Sequence, residues 1–148
     1  MNKKQKSLTN KGFSLVELII VIAIMAVLVG VLAPQFIKYV EQSRRSTDIQ
    51  NAENIKTAIL ADIADGLITG TGTATFDDLK TPYVGDGTMA STITTAPTVQ
   101  GNLGSLHGTK FTVTFNSTAG TCQVTLTNGS NTYDLTDADD AAAYKIAN

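Results

Sequence analysis

Glu17 is the residue whose position most clearly asks for chemistry. It lies inside an apolar run that begins at Phe13 and reaches Ala33, and no other charge falls within those 21 residues. As a helix they span roughly 31 Å, about the hydrocarbon thickness of a bilayer. A carboxylate at that depth costs about 2.5–3.5 kcal/mol. It therefore needs a partner, and no cation lies nearby within the run. Cutting the chain between Gly12 and Phe13 would create an α-amine four residues before Glu17. That amine would pair most usefully with a carboxylate on a neighbouring copy, which is assembly chemistry rather than catalysis.

Other reactive residue types are sparse. His107 is the one histidine, set among glycines and polar residues. Cys122 is the one cysteine, so no intrachain disulfide forms. It falls on the apolar side of an alternating segment and reads as a buried, inert thiol. No HExxH or GxSxG pattern occurs, and GLITGTGTAT (residues 66–75) is followed by no Gly-Lys-Ser/Thr. The chain reads as a non-enzyme without a cofactor. Asp134, Asp137, Asp139 and Asp140 are the candidate ligands for calcium, but they lack the Gly-centred loop and closing Glu of an EF-hand. The plainer reading is a short C-terminal helix capped by Thr136, with aspartates at its positive end. Asn116-Ser117-Thr118 and Asn128-Gly129-Ser130 fit the N-glycosylation pattern.

The elements that must position these residues follow from periodicity. Val, Ile, Leu, Ala, Met and Phe surround the first helix on every side, so it must be buried in lipid or in protein. From residue 35 to 65 its character changes. Ile49, Ala52, Ile55, Ile59 and Ile63 make one buried stripe, with Asp48, Glu53, Asn54, Lys56 and Asp62 between them. Pro34 removes the hydrogen bond to the Gly30 carbonyl, which predicts a bend or local melting over 30–34. Lys38, Glu41, Arg44, Arg45 and Asp48 mark where the helix leaves the membrane. They form either a solvated face or a set of partners for acids on a neighbouring subunit. Asp65-Gly66 is the expected stop. Residues 66–109 read as loops, with a helical turn at Phe76–Leu79 ended by Pro82, and with Ile93 or Val99 in irregular strands. Phe111, Val113 and Phe115, then Cys122, Val124 and Leu126, alternate with polar residues, and Tyr133 and Leu135 suggest a third strand. This predicts an antiparallel meander over about 110–135, packed on the Ile stripe.

Charge is uneven. Residues 1–12 carry Lys3, Lys4, Lys6 and Lys11 with no acid, and the remainder has seven bases against thirteen acids. Lysines before an apolar helix keep that end in the cytoplasm and send the rest across. An acidic remainder argues against specific nucleic-acid binding.

The stretch KGFSLVELIIVIAIMAVLVGVLAP (residues 11–34) resembles the class III signal of type IV prepilins and pseudopilins. The resemblance is strong over about residues 7–60 and architectural beyond. It implies that a prepilin peptidase cuts after Gly12 and N-methylates Phe13, and that Glu17 is the assembly acid. Pro34 matches the family's proline. Ala26 stands where many members have a helix-loosening glycine, a purpose Gly30 could serve. Many pilins close the C-terminal region with a disulfide, which the lone cysteine here cannot form. The expected fold is α+β: a long N-terminal helix, apolar then amphipathic, packed on a small antiparallel sheet. The expected organisation is a 1–12 leader, a 13–34 transmembrane or filament-core helix, a 35–65 amphipathic half and a 66–148 head.

The implied function is that of a type IV pilus subunit serving adhesion, motility or biofilm formation. Its partners would be identical or related pilin subunits, the prepilin peptidase, an assembly platform and, indirectly, an assembly ATPase. The precursor would be a single-pass protein of the cytoplasmic membrane, and the mature form an extracellular filament. The alternatives are a pseudopilin of a type II secretion or competence DNA-uptake system, and a membrane-anchored surface binding module that never polymerises.

Overall fold

The computed structural model describes residues 12–76 and 96–147. Helix α1 runs from Leu15 to Ala64. Its start has a local cause: Ser14 stands in the N-cap position, and Glu17, three residues on, reaches back to the Ser14 N–H at 2.9 Å. Residues 30–34 are helical throughout, so the expected local melting at Pro34 is not found. One missing hydrogen bond is tolerated there because the turns on both sides keep theirs. At the far end Gly66 adopts φ +75°, and the N–H groups of Leu67 and Ile68 return to the Asp62 carbonyl, closing the helix.

The chain divides into two units, one ending at Lys38 and the other beginning at Tyr39. In the first, the helix has no packing partner among the described residues. Phe13 is 83% exposed, and even Val21, the most covered of its large apolar side chains, is 42% exposed. This segment is long and apolar enough to cross a membrane.

The second unit contains a four-stranded antiparallel sheet in the order β1 (Thr71–Thr75), β2 (Thr112–Asn116), β3 (Thr121–Asn128) and β4 (Asn131–Asp134). Helix α2 follows at Ala138–Ile146. The register places Val113 opposite Val124, Phe115 opposite Cys122 and Leu126 opposite Tyr133. Alternation then sends one set of side chains onto α1. Phe111, Val113, Phe115, Cys122, Val124 and Leu126 share a core with Ala52, Ile55, Ile59, Leu135 and Tyr144. The other face is rich in threonine, with cross-strand hydroxyl pairs at Thr73–Thr114 (3.0 Å) and Thr127–Thr132 (3.1 Å).

Three expectations need correction. The sheet has four strands rather than three, because part of the segment read as a loop forms β1. Gly72 and Ala74 give that strand no strong alternation, and its partner β2 is about forty residues away in sequence. The N-cap of α2 is Asp137, whose carboxylate accepts from the N–H groups of Asp139 and Asp140, and not Thr136. Thr136 instead turns its N–H and hydroxyl to Asp134. Val99 is a buried core residue in a loop joined by a single bridge, Thr98–Lys110. Of the turn expected at 76–79, Phe76 is a buried turn residue, while 77–79, Pro82 and Ile93 lie outside the described residues.

Candidate functional site

At the head of α1, Gly12, Phe13 and Ser14 are not helical, and the helix begins one residue later. Glu17 occupies its first turn, where the positive end of the helix favours a carboxylate. Within the chain the carboxylate accepts a hydrogen bond from the Ser14 N–H, an uncharged donor. The spacing Ser-x-x-Glu could have revealed this capping box. Gly30 and Pro34 lie within the same helix, and a Cβ at Gly30 would meet nothing within 4 Å.

The charged cluster at 38–48 splits. Lys38 and Arg44 are exposed, while Arg45 is 5% exposed and Asp48 fully buried. Neither a solvated face nor a set of inter-subunit partners describes Glu41, Arg45 and Asp48, which bind within the chain. Arg45 Nε donates to Glu41 Oε1 at 2.9 Å, and Arg45 Nη1 donates to the carbonyls of Tyr144 (3.0 Å) and Ala147. Asp48 accepts from Gln100 N–H at 2.7 Å, Gly101 N–H at 2.8 Å and the Tyr144 hydroxyl at 2.8 Å. Glu41 also accepts from Asn102 N–H at 2.6 Å. Three segments distant in sequence are thereby clamped at one place: α1, the loop 100–102 and the end of α2. Burial, and then the bond to Asp48, push the Tyr144 phenol well above its ordinary range. Charge assistance and burial make such bonds strong when all members are satisfied. The signal was present in the sequence: positions 45, 48, 52, 55, 59 and 62 step by three and four, so both aspartates lie on the buried stripe.

Asp62 is the unsatisfied member of that stripe. It is 3% exposed, and its Oδ2 has no hydrogen-bond partner among the described residues. Burial first, then the neighbouring Asp65, raise its pKa. Cys122 is a buried thiol pushed up to about 12, chiefly by burial. His107 is exposed in its loop, with Nδ1 at 3.0 Å from the Gln100 carbonyl.

The aspartates near α2 bind backbone and hydroxyl donors: Asp134 takes Thr136, Asp137 takes residues 139 and 140, and Asp140 takes the Asp134 N–H at 3.2 Å. Among the described residues no group of three or more His, Cys, Asp or Glu side chains converges as a metal site would require. Asn116 accepts from Ala119 N–H within the β2–β3 turn. A cleft of about 540 Å³ opens in the second unit beside Lys56, Leu60, Cys122 and Asp137.

A family model described as the prokaryotic N-terminal methylation motif matches residues 8–33. A type IV major fimbrial protein FimA of Dichelobacter nodosus is 38% identical over 56 residues, covering 38% of this chain and 36% of that protein. A second FimA of the same species is 39% identical over 56 residues, covering 38% of this chain and 35% of that protein. A fimbrial protein of Neisseria meningitidis serogroup B is 33% identical over 98 residues, covering 63% of this chain and 58% of that protein. The chain thus spans about a third of the length of the FimA relatives and over half of the Neisseria one. No solved structure matches the chain.

Proposed function

The chain belongs to the type IV pilin and pseudopilin family, and on that premise we propose that it is a structural subunit of a type IV pilus. The observation that carries the reading is the arrangement at the start of α1. A non-helical Gly12-Phe13 junction precedes an apolar helix that has no partner among the described residues of its own unit, with an acid in the first turn. Hydrolysis of the Gly12–Phe13 bond leaves a carboxylate on the leader and an amine on Phe13, which is then methylated. An assembly platform, driven by an ATPase, moves subunits from the bilayer into a filament. There the apolar helices exchange lipid for one another, so most burial is preserved. Glu17 leaves the Ser14 N–H, or shares it, to neutralise the Phe13 amine of an adjacent subunit and set axial register. The pairing gains strength in a low-dielectric filament core. Repeated head-to-tail contacts of this type build open filaments.

The testing experiment is the intact mass and N-terminal sequence of protein sheared from cells as fibres. A chain beginning at N-methyl-Phe13 supports processing and assembly together. A chain left in the membrane and still beginning at Met1 refutes both and favours the non-polymerising surface module. A rise in head stability on adding calcium would move the assignment to a secretion-type pseudopilin, with Asp134, Asp137, Asp139 and Asp140 as the residues to substitute first.

A further inference from the structure

The cleft of about 540 Å³ shares no lining residue with the Gly12–Phe13 junction or with the Arg45 clamp. Every lining residue among those described belongs to the second unit, so the cleft is a feature of that unit alone. Its size falls within the roughly 300–1,000 Å³ of small-molecule sites. Lys56 and Leu60 stand one turn apart on α1 and contribute to one wall. Asn116 ends β2, Asp134 ends β4 and Asp137 caps α2. The Leu135 N–H, bonded to the Val124 carbonyl at 2.9 Å, ties the end of β4 back onto β3. Cys122, 5% exposed, adds an apolar surface.

The polar lining groups have bonding capacity that no described residue uses. Lys56 Nζ spends one of its three donors on the Thr136 carbonyl at 3.4 Å and stands 4.0 Å from Glu53 Oε1. Asp134 takes the Thr136 N–H and hydroxyl on Oδ1, and Asp137 takes two N–H groups on Oδ1, which leaves each Oδ2 free among the described residues. Asn116 uses its Oδ1 for the Ala119 N–H and keeps its amide donors. Burial governs the raised pKa of Cys122, with smaller opposing influences from Lys56 and Asp134, so both charges stand within electrostatic reach of the thiol. One base against two acids makes the lining net negative, which disfavours phosphates, sulfates and uronates. Among the described residues no three metal-ligating side chains converge, which disfavours a bare cation. Donor-only and acceptor-only groups thus stand together beside an apolar surface. A hydroxyl both donates and accepts, so a polyhydroxylated ligand satisfies both kinds.

We propose that this cleft binds a neutral saccharide unit. Its hydroxyls donate to the carboxylates of Asp134 and Asp137 and accept from Lys56 and Asn116, and its C–H face rests on Leu60 and Cys122. Binding here requires no filament, so the filament reading stands or falls separately.

The test titrates the full chain, isotope-labelled and held in a detergent without a sugar headgroup, with the methyl glycosides of glucose, galactose and N-acetylglucosamine, followed by amide NMR. A ligand of about thirteen non-hydrogen atoms should bind with a dissociation constant on the order of 1 mM. At least one of the three glycosides should saturate, shifting the Cys122 and Asp134 amides and leaving Gly101 in the clamp unmoved. Lys56→Met and Asp137→Asn should each weaken it by about tenfold, the loss of one hydrogen bond to a charged group. Asn caps a helix as well as Asp, so the second variant keeps α2, and near-UV circular dichroism checks both folds. Lys145→Met, outside the lining, should change nothing. No saturable shift with any of the three glycosides overturns the proposal, as does a shift that survives both cleft variants. Equally tight binding of methyl glucuronide overturns the selection for a neutral sugar, and equal displacement by alanylalanine replaces the saccharide with a zwitterion. Shifts spread evenly over the head overturn it in favour of non-specific contact.

Discussion

Gly101→Ala should unfold the head at a much lower temperature, for a reason confined to the clamp. Gly101 is not among the glycines with positive φ, so alanine brings no backbone strain there. A Cβ at this position would lie 2.5 Å from the Tyr144 hydroxyl oxygen, 2.8 Å from Arg45 Cγ and 2.9 Å from Asp48 Oδ2. All three belong to a buried network, so relief means moving Tyr144 or the 100–102 loop off Asp48. Overpacking costs about 1–3 kcal/mol, and a lost hydrogen bond to a buried carboxylate about 1.5–3 kcal/mol. Relief through one route lessens the other, so about 3 kcal/mol is expected. A head of about 110 residues has an unfolding entropy near 0.23 kcal/mol/K, so the melting temperature should drop by about 13 °C. The signal to follow is tyrosine near-UV circular dichroism of the full chain in detergent. Tyr133 and Tyr144, with ring centroids 5.6 Å apart, report the head, whereas far-UV ellipticity is dominated by α1. Gly120→Ala is the control, because it has φ +65° and open space, and it should cost about 1 kcal/mol. Melting of Gly101→Ala within 2 °C or so of the parent, or above the control, would refute the clamp as a source of head stability.

Four further outcomes follow from the same geometry. Glu17→Ala should leave leader removal largely intact and abolish normal filament growth; a wild-type yield of sheared fibres would remove Glu17 from assembly. Gly12→Ala, or a bulkier residue, should block maturation, read as a precursor-sized band, and normal processing would refute the junction. Asp62 has a folded-state pKa above its unfolded value, so its contribution is fully present below the ordinary carboxylate pKa of 3.8 and is lost as pH rises through the folded value. Head stability measured by urea unfolding should therefore decline as pH rises above that ordinary value, and Asp62→Asn should remove that part of the slope. Cys122 should resist alkylation at neutral pH until denaturant is added; rapid labelling of the native chain would contradict its burial.

The long helix and the antiparallel sheet behind it were legible because each has a strong period. The apolar run leaves no solvent face, the Ile stripe steps by three and four, and Phe111 to Leu126 alternates by two. Strand β1 was not legible. Thr-Gly-Thr-Ala-Thr carries little hydrophobic contrast, and it is a strand because β2 supplies its hydrogen bonds. The Asp137 cap differs from the expected Thr136 by one position, which is the usual uncertainty of a helix end.

What the sequence determined by itself is the part of the protein that answers to one dimension: the apolar run, Glu17 in its first turn, and the length and amphipathic switch of α1. These depend on spacing along the chain and on helix geometry, which neighbours in sequence encode. The fate of Glu41, Arg45 and Asp48 was decided only by tertiary structure. Their charges suggest a wet surface, and their positions put Arg45 and Asp48 on the buried stripe. That conflict is resolved by Gln100, Gly101 and Tyr144, which lie roughly fifty to a hundred residues downstream and bring donors to Asp48. Burial of a charge is tolerable where partners satisfy it. Which partners arrive depends on how the loop at 100–102 and the end of α2 return to α1, and no local pattern records that.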